Sequence, residues 1–156
     1  MGAGGGRNHY TFRTAWQVLA PPTRVFAVLE RAESYPEWWP QVRRLGRTGT
    51  ETGTLRIRSV LPYELSVALR LSRRDPAAGV LQIGMSGDMD GWARWTIRPT
   101  GAGAVALFEQ DVEVNKPLLR LLAIPGRPLF IANHKLMMRS GHRGLRALLE
   151  RGLDEE

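Results

Sequence analysis

Residues 10–20 alternate, with Tyr10, Phe12, Trp16 and Val18 on one side and Thr11, Arg13 and Gln17 on the other. A period of two predicts a half-buried strand, which Pro21-Pro22 brings to an end. Residues 23–31 change to the helical period: Val25, Phe26, Val28, Leu29 and Ala32 make an apolar stripe, and Pro22 sits where a helix begins. Residues 33–40, ESYPEWWP, bracket two tryptophans between prolines and predict a turn-rich segment or a short distorted helix. Its rings suit a plug over the end of a core and the lip of a pocket equally well. A short strand is expected at 42–48, and the glycines and threonines of 46–53 read as a hairpin loop.

From Thr54 the alternation is the cleanest in the chain. Leu55, Ile57, Leu61, Tyr63, Leu65, Val67, Leu69 and Leu71 oppose Arg56, Arg58, Glu64, Ser66 and Arg70. Pro62 cannot donate to a sheet ladder, so it divides this run into two strands. Turns at 75–79, 87–91 and 99–103 separate strands at 80–86, 92–98 and 104–114, with Gly91 expected to supply the unusual backbone angles of the middle turn. A short helical piece follows at 118–123.

The last pattern is one long amphipathic helix over 127–151, roughly 37 Å from end to end. Phe130, His134, Met137, Gly141, Leu145 and Leu148 recur on one face, and Arg139, Arg143, Arg146 and Glu150 on the other. Methionines, glycine and histidine on the apolar face fit the wall of a cavity better than a tightly packed seam. Strand, helix, six antiparallel strands and a long helix make an α+β architecture. One domain over 10–153 is expected, after a flexible tail at 1–9.

Composition changes this picture little. The 156 residues are 43% hydrophobic and 24% charged, the usual balance of a globular protein, and contain no cysteine for disulfides or thiolate metal sites. The net charge of +7 comes almost wholly from arginine, since Lys116 and Lys135 are the only lysines. Those arginines are scattered rather than clustered, so no specific nucleic-acid partner is expected. No secretion signal and no transmembrane segment is apparent, and a cytoplasmic location is expected.

Four stretches carry a resemblance: FRTAWQVLAPPTRVFAVL, SYPEWWPQVRRL, DMDGWARWTI and NHKLMMRSGHRGLRALL. In their order the chain resembles the SRPBCC superfamily, also called START-like or helix-grip, and within it the polyketide cyclase/dehydrase-like branch. The resemblance runs from Tyr10 to Arg151. It implies a seven-stranded antiparallel sheet wrapped around the C-terminal helix, with a deep hydrophobic cavity between them. It also implies a hydrophobic small-molecule partner (a polyketide, lipid or quinone-like compound), without implying that every member is an enzyme.

His134 is the ionisable group expected on the inner face of the long helix, and the candidate catalytic acid or base. The alternative is a histidine that lines the pocket passively. Trp39, Tyr63, Leu65, Met85, Trp95, Phe108 and Gln110 are the candidate ligand contacts from the sheet side, and Met137, Met138 and Gly141 from the helix. Trp92 and Trp95 have opposite parity, so a regular strand cannot turn both inward. Glu109, Asp111 and Glu113 share the outer face of their strand and are expected to meet water and arginines. No metal site and no cofactor is expected: His134 and His142 would lie about 12 Å apart on a helix. Three function classes follow. They are a ligand-binding protein, a polyketide cyclase or dehydratase acting through His134, and an interaction protein using its basic surface. Oligomeric state is left open.

Overall fold

A computed structural model of the chain describes residues 9–58, 64–115 and 127–154. Strand β1 (His9–Val18) buries Tyr10, Trp16 and Val18 and turns Thr11, Arg13 and Gln17 outward, as its alternation requires. His9, assigned above to the tail, is the first residue of this strand. Helix α1 (Pro22–Glu30) follows and buries Val25, Phe26 and Leu29. The Trp-Trp segment forms a single 3-10 turn at Ala32–Ser34 and a four-residue helix, α2 (Tyr35–Trp38).

Six further strands complete the sheet: β2 (Val42–Arg47), β3 (Thr52–Arg58), β4 (Glu64–Asp75), β5 (Val80–Gly87), β6 (Met89–Pro99) and β7 (Ala104–Val114). Their order is β1-β7-β6-β5-β4-β3-β2, antiparallel throughout, so the first strand closes onto the last and β2 forms the opposite edge. The long helix α3 (Arg127–Asp154) packs against β1 and α2. This is the expected α+β, seven-stranded architecture. The expected strand break falls between β3 and β4; Leu61, Pro62 and Tyr63 themselves lie outside the described residues, as does the helical piece expected at 118–123.

Two local readings need correction. Gly91 does have a left-handed φ of 150°, but it sits inside β6, opposite Val112, where a side chain would collide with the Asp111 carbonyl. The β5–β6 turn is tighter than expected and is made at Gly87-Asp88, with Gly87 at φ 114°. On α3 the buried stripe is Met138, Gly141, Leu145 and Leu149, while Leu148 is 40% exposed. A straight 3.6-residue helix favours the i, i+4 row at its end, and the seven-residue spacing assumed from 141 to 148 drifts off the seam.

Trp16 is the hub of the core. Its ring meets Trp38, Trp39 and Trp95 edge-on or tilted at centroid distances of 6.4, 5.3 and 4.8 Å, and His142 stacks on it at 5.6 Å. Two glycines of α3 let this cluster form. Gly141 lies against the rings of Trp39 and Trp16, and Gly144 against the backbone carbonyl of Trp38. The Trp39 indole N–H donates to the Met137 carbonyl of α3 at 2.9 Å, tying the bracketed segment to the helix.

The free edge of β1 is covered in the same way. His142 Nε2–H donates to the Gln17 carbonyl at 2.9 Å, and the Leu19 amide donates to Glu150 Oε1 at 3.3 Å. Both bonds satisfy backbone groups next to the last residues of an edge strand. His142→Ala is therefore expected to lower stability by about 1 kcal/mol, the net worth of one such bond, in thermal or urea unfolding.

Candidate functional site

The concave face of the sheet and the first turns of α3 enclose a cavity of about 260 Å³. Strand parity and register decide which side chains reach it. Phe12, Gln110 and Ala93 pair across β1, β7 and β6 in one inward row, and Thr14, Phe108 and Trp95 make the next. Toward the other edge, Leu69 pairs with Met85 and Ile57 with Leu65, all four lining the cavity. Trp92 takes the opposite parity, with the Arg94 guanidinium 4.8 Å from its ring centroid on the outer face.

Of the candidates from the sheet side, Trp39, Leu65, Met85, Trp95, Phe108 and Gln110 stand on the cavity wall; Tyr63 lies outside the described residues. From α3, His134, Met137 and Met138 join them. Gly141 does not: it is one turn further along, buried beneath the Trp39 and Trp16 rings, and its role is close packing. All four methionines among the described residues line this cavity, because Met89, assigned above to a turn, begins β6 and faces inward. Flexible, polarizable thioethers beside the rings of Phe12, Trp39, Trp95 and Phe108 make a wall that adapts to flat apolar shapes.

The polar groups inside are few. His134 stacks face to face on Phe12, with ring centroids 3.5 Å apart, and lies tilted against Phe108 at 6.3 Å. Burial pushes its pKa down from 6.5 to about 4, so the imidazole is neutral at pH 7. Its Nε2 faces Gln110 Oε1 at 3.2 Å, and the Gln110 amide nitrogen faces Met85 Sδ at 3.6 Å. Asn133, also on the wall, holds its Oδ1 buried without a partner. The Tyr35 hydroxyl donates to the Leu29 carbonyl at 2.6 Å, and burial holds the phenol well above its ordinary pKa, so it stays protonated.

Tyr35 was missed from the sequence. Its position before Pro36 reads as a turn, and only the packing of α2 turns the ring inward. The exposed β2–β3 loop contributes Thr50 and Glu51 to the outer end of the lining, along with Arg47, which is ion-paired to Glu33.

A second, open groove of about 1140 Å³ runs outside, between α1, the β4–β5 turn and the outward face of β6 and β7. Its walls mix polar and apolar residues, and its charges are in part paired, Arg74 with Glu30 and Arg94 with Glu109. On the acidic outer face of β7, Glu109 thus meets an arginine as expected, whereas Asp111 meets His9 at 2.6 Å. The larger groove lacks enclosed apolar surface; the smaller cavity has it and is the candidate site.

Comparison with known proteins now bears on this site. Residues 9–150 match the family described as polyketide cyclase / dehydrase and lipid transport. The chain belongs to this family. A comparison with curated proteins found no match. Among solved structures, a protein from Thermus thermophilus superposes with a TM-score of 0.70 at 16% identity, covering 90% of this chain and 98% of that one. A START superfamily protein from Mycobacterium smegmatis gives 0.70 at 16% identity, over 92% and 97%. The Zhui aromatase/cyclase from Streptomyces sp. R1128 gives 0.70 at 15% identity, over 93% and 94%. At 15–16% identity these likenesses establish the helix-grip fold. Among the described residues no helix is long and apolar enough to cross a membrane.

Proposed function

We propose that this protein binds a small, apolar, aromatic molecule in the cavity between the sheet and α3. The observation that carries the reading is the lining itself: aromatic rings and four methionines with few polar groups, its charges being Glu30 and Arg47, both ion-paired, and the exposed Glu51. Membership of a family whose description includes polyketides and lipids supports it. The reading favours binding over catalysis. An imidazole held near pKa 4 is a weak base, and its hydrogen-bond partner is an amide rather than a carboxylate. An enzymatic role for His134 predicts that His134→Ala abolishes turnover of a polyketide substrate while ligand affinity survives.

The test begins with native mass spectrometry of the freshly purified protein and extraction of anything bound. Fluorene then serves as a defined probe, read by quenching of Trp39 and Trp95, both on the cavity wall. One-to-one binding is expected, and Met137→Trp, which fills the cavity from α3, should weaken it at least about tenfold. Undiminished affinity in a folded Met137→Trp variant would place the probe elsewhere.

A further inference from the structure

We infer that Gln110 is a carbonyl-recognition residue, and that the cavity selects uncharged aromatic ketones or quinones over hydrocarbons and carboxylates. The inference rests on the cavity-binding reading above and sharpens it. Gln110 is buried on the inner face of β7, between Phe12 and Ala93, so its amide is held by the sheet and has little freedom. Its two ends have unequal partners. Oε1 accepts from His134 Nε2–H at 3.2 Å, a full hydrogen bond for a carbonyl oxygen. The NH2 group donates only toward Met85 Sδ at 3.6 Å, and a thioether is a weak acceptor.

The opposite amide orientation would set Oε1 against the sulfur, with no donor for it. The sulfur cannot donate, so the amide turns its NH2 toward Met85, and His134 in its Nε2–H tautomer holds Oε1 in that orientation as a positioning residue. Phe12, stacked on the imidazole, fixes the ring in turn. The outcome is a buried, oriented N–H donor beside an apolar cavity, held on a partner that a carbonyl oxygen would readily displace. A ligand that replaces the sulfur gains a hydrogen bond at no cost in breaking a strong one. A carboxylate would bring a charge into an apolar space where Arg47, the cation among the described lining residues, is already paired with Glu33, which is unfavourable. Flat rings suit the Trp, Phe and Met walls, so the carbonyl belongs on a ring system.

Three matched probes of one ring skeleton test this in the wild-type protein: fluorene, 9-fluorenone and fluorene-9-carboxylate. The ketone is expected to bind about five- to tenfold tighter than the hydrocarbon, and the carboxylate more weakly than either. The infrared carbonyl band of bound fluorenone should shift to lower wavenumber, as accepting a hydrogen bond requires. Gln110→Leu should bring the ketone-to-hydrocarbon ratio to about one and abolish the band shift. His134→Phe should reduce both by freeing the amide to turn. Because the ratio is taken within each variant, a general loss of stability cancels. Fluorene binding with no ketone preference and an unshifted band would overturn the role of Gln110 alone. Failure of both neutral probes to bind would overturn the cavity-binding reading, and this inference with it.

Discussion

Gly144→Ala is expected to lower the unfolding free energy by about 3 kcal/mol, the upper range for overpacking a close-packed core. A methyl group at 144 would overlap the Trp38 backbone oxygen, and a backbone atom cannot rotate away as a side-chain tip can. Relief would need α2 to lift from α3. That movement would strain the Trp39 bond to the Met137 carbonyl and the packing of Trp39 on Trp16. For a chain of this length the midpoint of thermal unfolding should fall by roughly 10 °C. Gly101→Ala is the control: its Cβ meets nothing, its φ is not left-handed, and it should shift stability by less than about 0.5 kcal/mol. Equal melting of the two variants would show that α2 does not depend on close approach to the helix.

The same contact shows what was legible in the sequence. Alternation gave the strands almost to the residue, β7 at Ala104–Val114 among them, because each strand has one face on the core and one in water. Parity showed that Trp92 and Trp95 could not both face inward, and the fold puts Trp95 inside and Trp92 outside. The family resemblance carried the wrapping of one seven-stranded sheet around the C-terminal helix and the cavity between them, which local pattern cannot specify.

Long-range contacts were not legible. Gly141 and Gly144 sit on one stretch of helix, and a glycine that lines a pocket looks the same as one that admits a tryptophan. Which it is depends on a segment about a hundred residues earlier in the chain. Tyr35 and Met89 were hidden by turn chemistry for the same reason: proline and glycine mark where the chain bends, not where the flanking side chain ends up. Gln110 was visible as an inward polar residue, but its unequal partners, His134 and Met85, come from two other elements. A pair of neighbours brought together only by folding has no signature in a single sequence.

The buried imidazole leads to the second large effect. His134 titrates near 4 in the folded protein because burial disfavours its charged form, against 6.5 in the unfolded chain. Above pH 6.5 both states hold the neutral ring, and His134 adds no pH dependence. Between 6.5 and 4 the unfolded chain takes up a proton that the folded protein refuses, so stability falls as the pH drops through this window. Below 4 both states are charged, and the loss levels off at about 3 kcal/mol, from 1.36 kcal/mol per unit of pKa difference.

The acid-dependent loss should be read as a difference between the wild type and His134→Phe, which keeps a flat ring against Phe12 and cannot be protonated. Every other ionisable group is common to the two proteins, so its contribution cancels in the difference. Urea unfolding at a series of pH values from about 7.5 to 4 should show the wild type losing about 3 kcal/mol more than the variant, most of it below about pH 6. Ligand should deepen this loss, since a bound neutral ring dries the walls around His134 and makes protonation of the folded protein harder still. Bound fluorenone is therefore expected to raise wild-type stability less near pH 4 than at pH 7, and parallel stability curves for the two proteins would mean that water already reaches the imidazole.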